Sequence, residues 1–406
     1  MIKRYFFNHY KRNFSIASIW IEGGSNKDSP GKRGINKILC SLLTRGCEGF
    51  DKLELSEFIE SYGAELNQEV FEDGISINIK SLNEHFRKLH PLLDLIIKKP
   101  ILSEFEFEKV KKSSIDLIKK DKENPFNICF EKWKKIVYSN HPYSFNTIGN
   151  ANDISNITYT DVLTEFKNFR NRKKYFISNN FEVNRKDLVT IEKDKKIFKE
   201  KSVSKNYLNE INRSDYIIND SNQTIIMIGN QTCSRRSSEY LPLKVLESYL
   251  SYGMSSALFK LFREKNGITY DLGVHYPVRI ENAPFLVYLS VSKKNSLFAF
   301  KLLSSLWRNL LLYPLIDREM FLAKEKLKGS FLLSNQSLDE ILQRNIQLIS
   351  YGISPISEIE LNSRIDEISS LDILRITNKY FKKPFLSISG NKKICLEIKN
   401  IWNKIV

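Results

Sequence analysis

Two side chains with strong hydrogen-bonding groups, Arg263 and Tyr270, lie seven residues apart in the stretch 253–273. A guanidinium carries several donors and a fixed positive charge, and a phenol can donate or accept. Together they can bind carbonyl oxygens and stabilise a developing oxyanion. A simpler interpretation is also open, because the helix dipole favours a cation in a last helical turn and a tyrosine on an apolar strand face is ordinary core. Periodicity alone favours this simpler interpretation.

The stretch 253–273 is predicted to form a helix, a turn and a strand. Apolar residues cluster over 258–262 as in an amphipathic helix, and Asn266 and Gly267 can end that helix in left-handed geometry. Apolar residues then alternate over 268–274, which is typical of a strand. The helix would carry the arginine in its last turn, and the strand would carry the tyrosine.

The order of elements around this stretch occurs twice along the chain. In each half a helix is followed by a proline, Pro100 or Pro314, and a capping residue, Ser103 or Asp317, then begins another helix. The first half is predicted to have strands at 15–21 and 74–80 and helices at 35–44, 53–63, 83–98 and 103–120. The second half is predicted to have strands at 224–228, 268–274 and 285–291 and helices at 241–250, 296–312 and 317–333. The offset of about 210 residues indicates an internal repeat.

We therefore predict an α+β protein of two homologous domains, each a mainly antiparallel sheet covered by helices. The first domain is expected to cover residues 1–190 and the second residues 213–406. The lysine-rich segment 191–212 between them is predicted to be a linker.

The chain of 406 residues carries a formal net charge of +16, which would attract anionic partners. Its lysines are spread along the sequence, and runs such as 132–135 and 193–201 are interrupted by a tryptophan or by acidic residues. Such runs resemble solvated faces more than an element that reads bases. We therefore expect no nucleic-acid partner.

Apolar runs in this sequence are short. No window approaches the roughly 18 uncharged apolar residues of a membrane span, so we expect no membrane partner. The basic start of the chain runs directly into the predicted strand at 15–21, without the apolar core of a signal peptide. The five cysteines are scattered and contain no CxxC pair. We therefore expect reduced, mostly buried thiols and a cytoplasmic protein.

Five stretches distributed over the whole chain carry a family likeness. They are GGSNKDSPGKRGINKILCSLLTRG (23–46), IESYGAELN (59–67), LHPLLDLIIKKPILSEFEFEKVK (89–111), GMSSALFKLFREKNGITYDLG (253–273) and LKGSFLLSNQS (327–337). On these residues the sequence resembles the insulinase, or pitrilysin, family of zinc peptidases, which includes mitochondrial processing peptidase. The resemblance implies the two-domain fold, and it implies that this chain forms half of a clamshell that closes around a chamber.

The metal-binding positions of that family are altered in this sequence. Active members carry HxxEH on the first-domain helix, where two histidines bind zinc and the glutamate acts as general base. The matching positions hold Lys37, Cys40 and Ser41, and the third ligand, a glutamate on a later helix, matches Asp116. A lysine repels zinc, a serine is a poor ligand, and a cysteine cannot replace the glutamate as base. The resemblance therefore implies no zinc in this chain and no catalysis by it alone.

Arg263 and Tyr270, by contrast, match a pair that the family retains in its second domain. In two-subunit members, the subunit without zinc supplies this pair to the substrate. The resemblance therefore implies a non-catalytic, substrate-binding subunit of a heterodimeric zinc metallopeptidase that degrades or processes peptides, with zinc in a homologous HxxEH-bearing partner. The alternative is an inactive structural or peptide-binding subunit of a larger assembly. A weaker alternative is a basic protein associated with nucleic acid.

Overall fold

The computed structural model describes residues 2–7, 13–180, 188–190, 213–219, 221–355 and 358–403. The described residues form two compact units, each built on one sheet. The first unit comprises the described residues of Met1–Lys120, Phe145–Phe198 and Ser334–Pro355, and the second those of Asp121–Ser144, Lys199–Leu333 and Ile356–Val406. The predicted linker at 191–212 lies outside the described residues.

The secondary structure follows the two halves of the sequence. In the first half the elements are β1 (Ile2–Phe6), β2 (Phe14–Glu22), α1 (Ile35–Leu43), α2 (Lys52–Ser61), β3 (Glu65–Val70), β4 (Gly74–Leu82), α3 (Asn83–Leu89), α4 (Pro91–Lys98), α5 (Glu104–Asp121), α6 (Pro125–Tyr138), α7 (Ala151–Asn156), α8 (Tyr159–Asn171), β5 (Lys174–Ser178) and β6 (Leu188–Thr190). In the second half they are β7 (Ser214–Ile218), β8 (Gln223–Gln231), α9 (Tyr240–Ser251), a π-helix (Phe259–Glu264), β9 (Thr269–His275), β10 (Pro284–Ser292), α10 (Ser296–Leu312), α11 (Asp317–Ser334), α12 (Leu338–Ser350), α13 (Glu358–Asp366), α14 (Ser370–Tyr380), β11 (Phe385–Gly390) and α15 (Lys392–Trp402).

The first sheet has the strand order β3-β4-β2-β5-β1-β6. Neighbours from β3 to β5 are antiparallel, and β1 runs parallel to both β5 and β6. Both faces of β2 are buried, since Ala17, Ile19 and Ile21 lie in the core that contains α1, while Ile16 and Trp20 pack against α12. This two-sided burial explains why apolar residues occupy both alternating sets of positions in β2.

The second sheet has the strand order β7-β11-β8-β10-β9. β7 is parallel to β11, and the other neighbours are antiparallel. α6 covers one face, where Cys129, Trp133 and Val137 pack against the sheet and the indole of Trp133 donates to the carbonyl oxygen of Phe385 at 3.3 Å. The larger core lies on the other face and contains α9, α10 and α14. β9 forms one edge of this sheet.

Each compact unit contains one helix from the opposite half of the sequence. α6 belongs to the first half but packs in the second unit, and α12 belongs to the second half but packs in the first. The predicted division into 1–190 and 213–406 therefore follows the repeat along the sequence. It does not describe the compact units, because α6 and α12 each pack in the unit of the other half.

The structure confirms the predicted α+β class, with two mainly antiparallel sheets covered by helices. The predicted helix at 83–98 is instead two helices, because Pro91 lacks the N–H that would continue α3 and begins α4. All five cysteines are buried free thiols. Among the described residues, none of the helices combines the length and apolar character that a membrane crossing requires.

Candidate functional site

The helix that carries Arg263 is a π-helix, not the predicted α-helix. Its wide turn is seen in the bond from the N–H of Lys265 to the carbonyl oxygen of Lys260 at 3.0 Å, five residues back. Leu258 and Phe262 have no exposed surface and anchor this segment in the core of the second unit. Single π-helical turns are rare in proteins overall, but many of those that occur lie at functional sites. The π-helix therefore marks this segment as a candidate site.

The turn predicted at Asn266 and Gly267 is present in the structure. Gly267 has a φ of 59°, in the left-handed region that favours glycine. Its N–H donates to the carbonyl oxygen of Arg263 at 3.1 Å, and the N–H of Ile268 donates to that of Phe262 at 3.0 Å. These bonds satisfy carbonyl groups at the end of the helix and fix the backbone at the arginine.

The side chains of Arg263 and Tyr270 are both exposed to solvent, with Tyr270 66% exposed. The guanidinium carbon of Arg263 lies 5.4 Å from the centre of the Phe259 ring. In the part of the chain that the structure describes, neither side chain forms a hydrogen bond or an ion pair. The interpretation of Tyr270 as ordinary core is therefore wrong, and both polar groups are available to a ligand.

A β-bulge explains why Tyr270 leaves the apolar face that its sequence position predicts. β9 pairs Thr269 with Val291 and Asp271 with Ser290, so that Tyr270 is an extra residue without a partner across the strands. The hydroxyl of Thr269 stabilises the bulge by donating to the carbonyl oxygens of Asp271 at 2.8 Å and Ser290 at 3.0 Å. A bulge redirects a side chain in this way, and bulges are frequent beside active sites.

The rest of β9 is held firmly against the second unit. Leu272 and Val274 pack on the core, and the ammonium of Lys244 in α9 donates to the carbonyl oxygen of Tyr276, just after the strand, at 3.1 Å. Lys244 also pairs with Glu247 at 2.7 Å, and this pair is largely buried. The sequence signal for this pair is a Lys and a Glu three residues apart inside an otherwise apolar helix.

The positions that match the family's zinc ligands differ in their surroundings. Cys40 has no exposed surface, and burial raises the pKa of its thiol to about 12, although the Lys37 ammonium lowers it. Ser41 is only partly buried, and Asp116 is an exposed residue of α5 that pairs with a lysine of its own helix. Within the described ranges, no group of three or more His, Cys, Asp or Glu side chains is placed to hold a metal ion.

A charged residue of β3 faces the altered helix. Burial raises the pKa of the Glu69 carboxyl, and the ammonium of Lys37 partly offsets this shift. The same two charges act in opposite directions on the thiol of Cys40. The positive charge of Lys37 in α1 therefore acts on the carboxyl of Glu69 in β3.

The loop before α1 is fixed by a buried carboxylate. Asp28 accepts hydrogen bonds from the N–H of Gly34 at 2.7 Å and from the side-chain amide of Asn36 at 2.7 Å, and Arg172 donates to the other end of that amide at 2.9 Å. Burial raises the pKa of Asp28 to about 6, although these hydrogen bonds and the charge of Arg33 oppose the shift. The network therefore links the loop, α1 and the residue that follows α8.

Two family descriptions match consecutive parts of the chain. Residues 6–151 match the description "Insulinase (Peptidase family M16)", and residues 172–327 match "Peptidase M16 inactive domain". The chain is 22% identical to an uncharacterized zinc protease of Rickettsia felis over 88% of this chain and 87% of that protein. It is 20% identical to the uncharacterized zinc protease YmxG of Bacillus subtilis over 93% of this chain and 94% of that protein.

Solved structures share the fold over nearly the whole chain. A peptidase M16 inactive domain from Pseudomonas fluorescens superposes with a TM-score of 0.81 and 20% identity, covering 96% of both chains. A protease from Helicobacter pylori superposes with a TM-score of 0.78 and 16% identity, covering 95% of this chain and 96% of that one.

The fold and the site together define a class of protein, a chain with a peptidase fold and altered residues at the positions of the zinc ligands. The two family matches cover consecutive parts of the sequence from residue 6 to residue 327. The chain belongs to the insulinase family, peptidase family M16.

Proposed function

We propose that this chain is the non-catalytic, substrate-binding subunit of a heterodimeric zinc metallopeptidase. The observation that carries the proposal is that Arg263 and Tyr270 are both exposed, while the positions of the metal ligands are occupied by Lys37, Cys40 and Ser41. Both polar groups are exposed to a possible substrate, and π-helical turns and bulges are frequent at functional sites. We further propose that the assembly acts on peptides in the cytoplasm.

The partner in this proposal is a homologous subunit with an intact HxxEH motif, and the two chains would enclose a chamber as the halves of a clamshell. Its zinc would polarise the scissile carbonyl and activate a water molecule. The guanidinium of Arg263 would donate to carbonyl oxygens of an extended peptide, and the phenol of Tyr270 would donate to the oxygen on which negative charge develops. β9 would assist, because an edge strand offers N–H and C=O groups to a second extended chain.

Reconstitution of the two subunits tests the proposal. The purified chain alone should not cleave a fluorogenic peptide, and addition of the HxxEH-bearing homologue should produce activity that a chelator abolishes. Strong chelator-sensitive cleavage by the chain alone would contradict the proposal. Stable co-purification with a large assembly that contains no such homologue would instead favour a structural subunit.

Substitution of the two candidate residues tests their role. Arg263→Ala and Tyr270→Phe should each lower the activity of the complex at least tenfold, a loss of about 1.4 kcal/mol of transition-state stabilisation. Tyr313→Phe is a matched control because that side chain is 64% exposed on the same unit, and Arg308→Ala controls for the loss of an exposed arginine. Equal activity in the candidate and control variants would mean that Arg263 and Tyr270 do not take part in catalysis by the complex.

A further inference from the structure

A surface pocket of about 580 Å³ lies in the second unit, and the residues that line it belong neither to β9 nor to the π-helix. The polar side chains that line it are those of Asn222, Ser292, Lys293, Lys294, Lys393 and Glu397. Three lysines and one glutamate are therefore among the residues that line this pocket. Its volume lies within the range of about 300–1,000 Å³ found for small-molecule sites.

The sheet topology explains why two helices begin beside this pocket. β10 and β11 are both antiparallel to β8, so they run in the same direction and their C-terminal ends lie on the same side of the sheet. α10 follows β10 through the short turn Lys293–Asn295, and α15 follows β11 directly. The N-terminal end of a helix favours negative charge.

The charges around the pocket oppose the usual preference at helix N-termini. The first turns of α10 and α15 contain no acidic residue, whereas those of α12 and α14 contain aspartate or glutamate. In the residues that the structure describes, Lys293, Lys294 and Lys393 form no ion pair. Positive side chains at a helix N-terminus are unfavourable, because that end of the helix already carries a partial positive charge. Such local conflicts are typical of functional sites.

The hydroxyl of Ser292 is a second, independent feature. Its oxygen is buried, and it has no hydrogen-bond partner in the described residues. A buried hydroxyl without a protein partner can bond to a water molecule or to a ligand. Ser292 is the last residue of β10 and directly precedes the two lysines of the turn.

We propose that this pocket binds a small phosphorylated molecule that carries at least two phosphoryl groups. Three lysines against the single Glu397 leave an excess of positive charge, which matches a multiply charged oxyanion better than a single carboxylate. The cavity is also larger than one phosphate ion requires. The ammonium groups bind the phosphoryl oxygens, and the hydroxyl of Ser292 donates to one of them after a small rearrangement of its side chain.

Calorimetric titration of the full chain with pyrophosphate and with inorganic phosphate tests the proposal. Pyrophosphate should bind at least tenfold more tightly than phosphate, and its affinity should fall as salt is added. The double variant K293Q/K294Q should bind pyrophosphate at least tenfold more weakly. The matched control is K382Q/K383Q, which removes two adjacent exposed lysines of the same unit that do not line the pocket.

One variant gives a change in the opposite direction, which a folding defect cannot imitate. Glu397→Gln removes the carboxylate of the pocket and should tighten pyrophosphate binding severalfold. Ser292→Ala should weaken binding without lowering the thermal stability of the unliganded chain. The proposal is overturned if pyrophosphate does not bind, if it binds no more tightly than phosphate, or if the two double variants lose affinity equally.

Discussion

The buried ion pair of Lys244 and Glu247 supports the segment that carries the candidate site. Removing it should lower the free energy of unfolding substantially. The two side chains are 18% and 9% exposed, and Lys244 also donates to the carbonyl oxygen of Tyr276 after β9. Glu247→Gln leaves the ammonium without its counter-ion in this environment. Removing one partner of a buried pair costs about 3–5 kcal/mol, because the remaining charge is desolvated without compensation.

Urea unfolding followed by tryptophan fluorescence measures this effect. Three of the four tryptophans, Trp133, Trp307 and Trp402, are buried in the second unit, so the signal reports mainly on that unit. The loss should appear as a lower urea midpoint with little change in slope. The unit should also melt roughly 6–20 °C lower, at about 2–4 °C for each kcal/mol.

A matched control separates burial from simple loss of a charge. Glu325 and Lys328 form a pair with the same three-residue spacing, but the glutamate is 50% exposed and Lys328 keeps a second partner in Asp366. Glu325→Gln should therefore cost no more than about 1 kcal/mol. If Glu247→Gln destabilises the chain no more than Glu325→Gln does, the burial of the Lys244 pair has been overestimated and the reasoning fails.

Three further predictions concern the first unit and the helix of the site. The raised pKa of Asp28 means that its contribution to the free energy of unfolding is full below pH 3.8 and is lost as pH rises through about 6. Asp28→Asn should remove about 2–3 kcal/mol of pH dependence between pH 4 and pH 7. Denaturant unfolding at these two pH values would show it as a change in the stability difference between variant and wild type. Phe262→Ala should lower the free energy of unfolding by about 3–5 kcal/mol, because it opens a cavity beneath the π-helix; a cost below about 1 kcal/mol would mean that the site collapses around it. Cys40 should remain unmodified by iodoacetamide in the folded chain at neutral pH, since its thiol is buried and protonated; rapid alkylation detected by mass spectrometry would contradict this.

Local sequence signals were sufficient for most of the elements. The turn at Gly267 follows from a glycine that can adopt a positive φ, and the two-sided burial of β2 follows from its continuous run of apolar residues. The bulge at Tyr270 was not accessible in this way, since it depends on the register between β9 and β10, and the intervening loop does not specify that register. The same limit applies to Arg263, because helix propensity does not distinguish a π-helical turn from an α-helical one.

The place of α12 in the first unit has a consequence for synthesis of the protein on the ribosome. The face of the first sheet that carries Ile16, Trp20 and Ile177 remains uncovered until Leu338–Ser350 has been made, after most of the second unit. At about 5–20 residues per second, this interval is on the order of ten seconds. During that time the strands of the first sheet can already pair, but the apolar face that α12 will cover is still exposed to solvent. We therefore expect the newborn chain to need chaperone protection, and truncation before α12 to cause aggregation rather than release of a folded first unit.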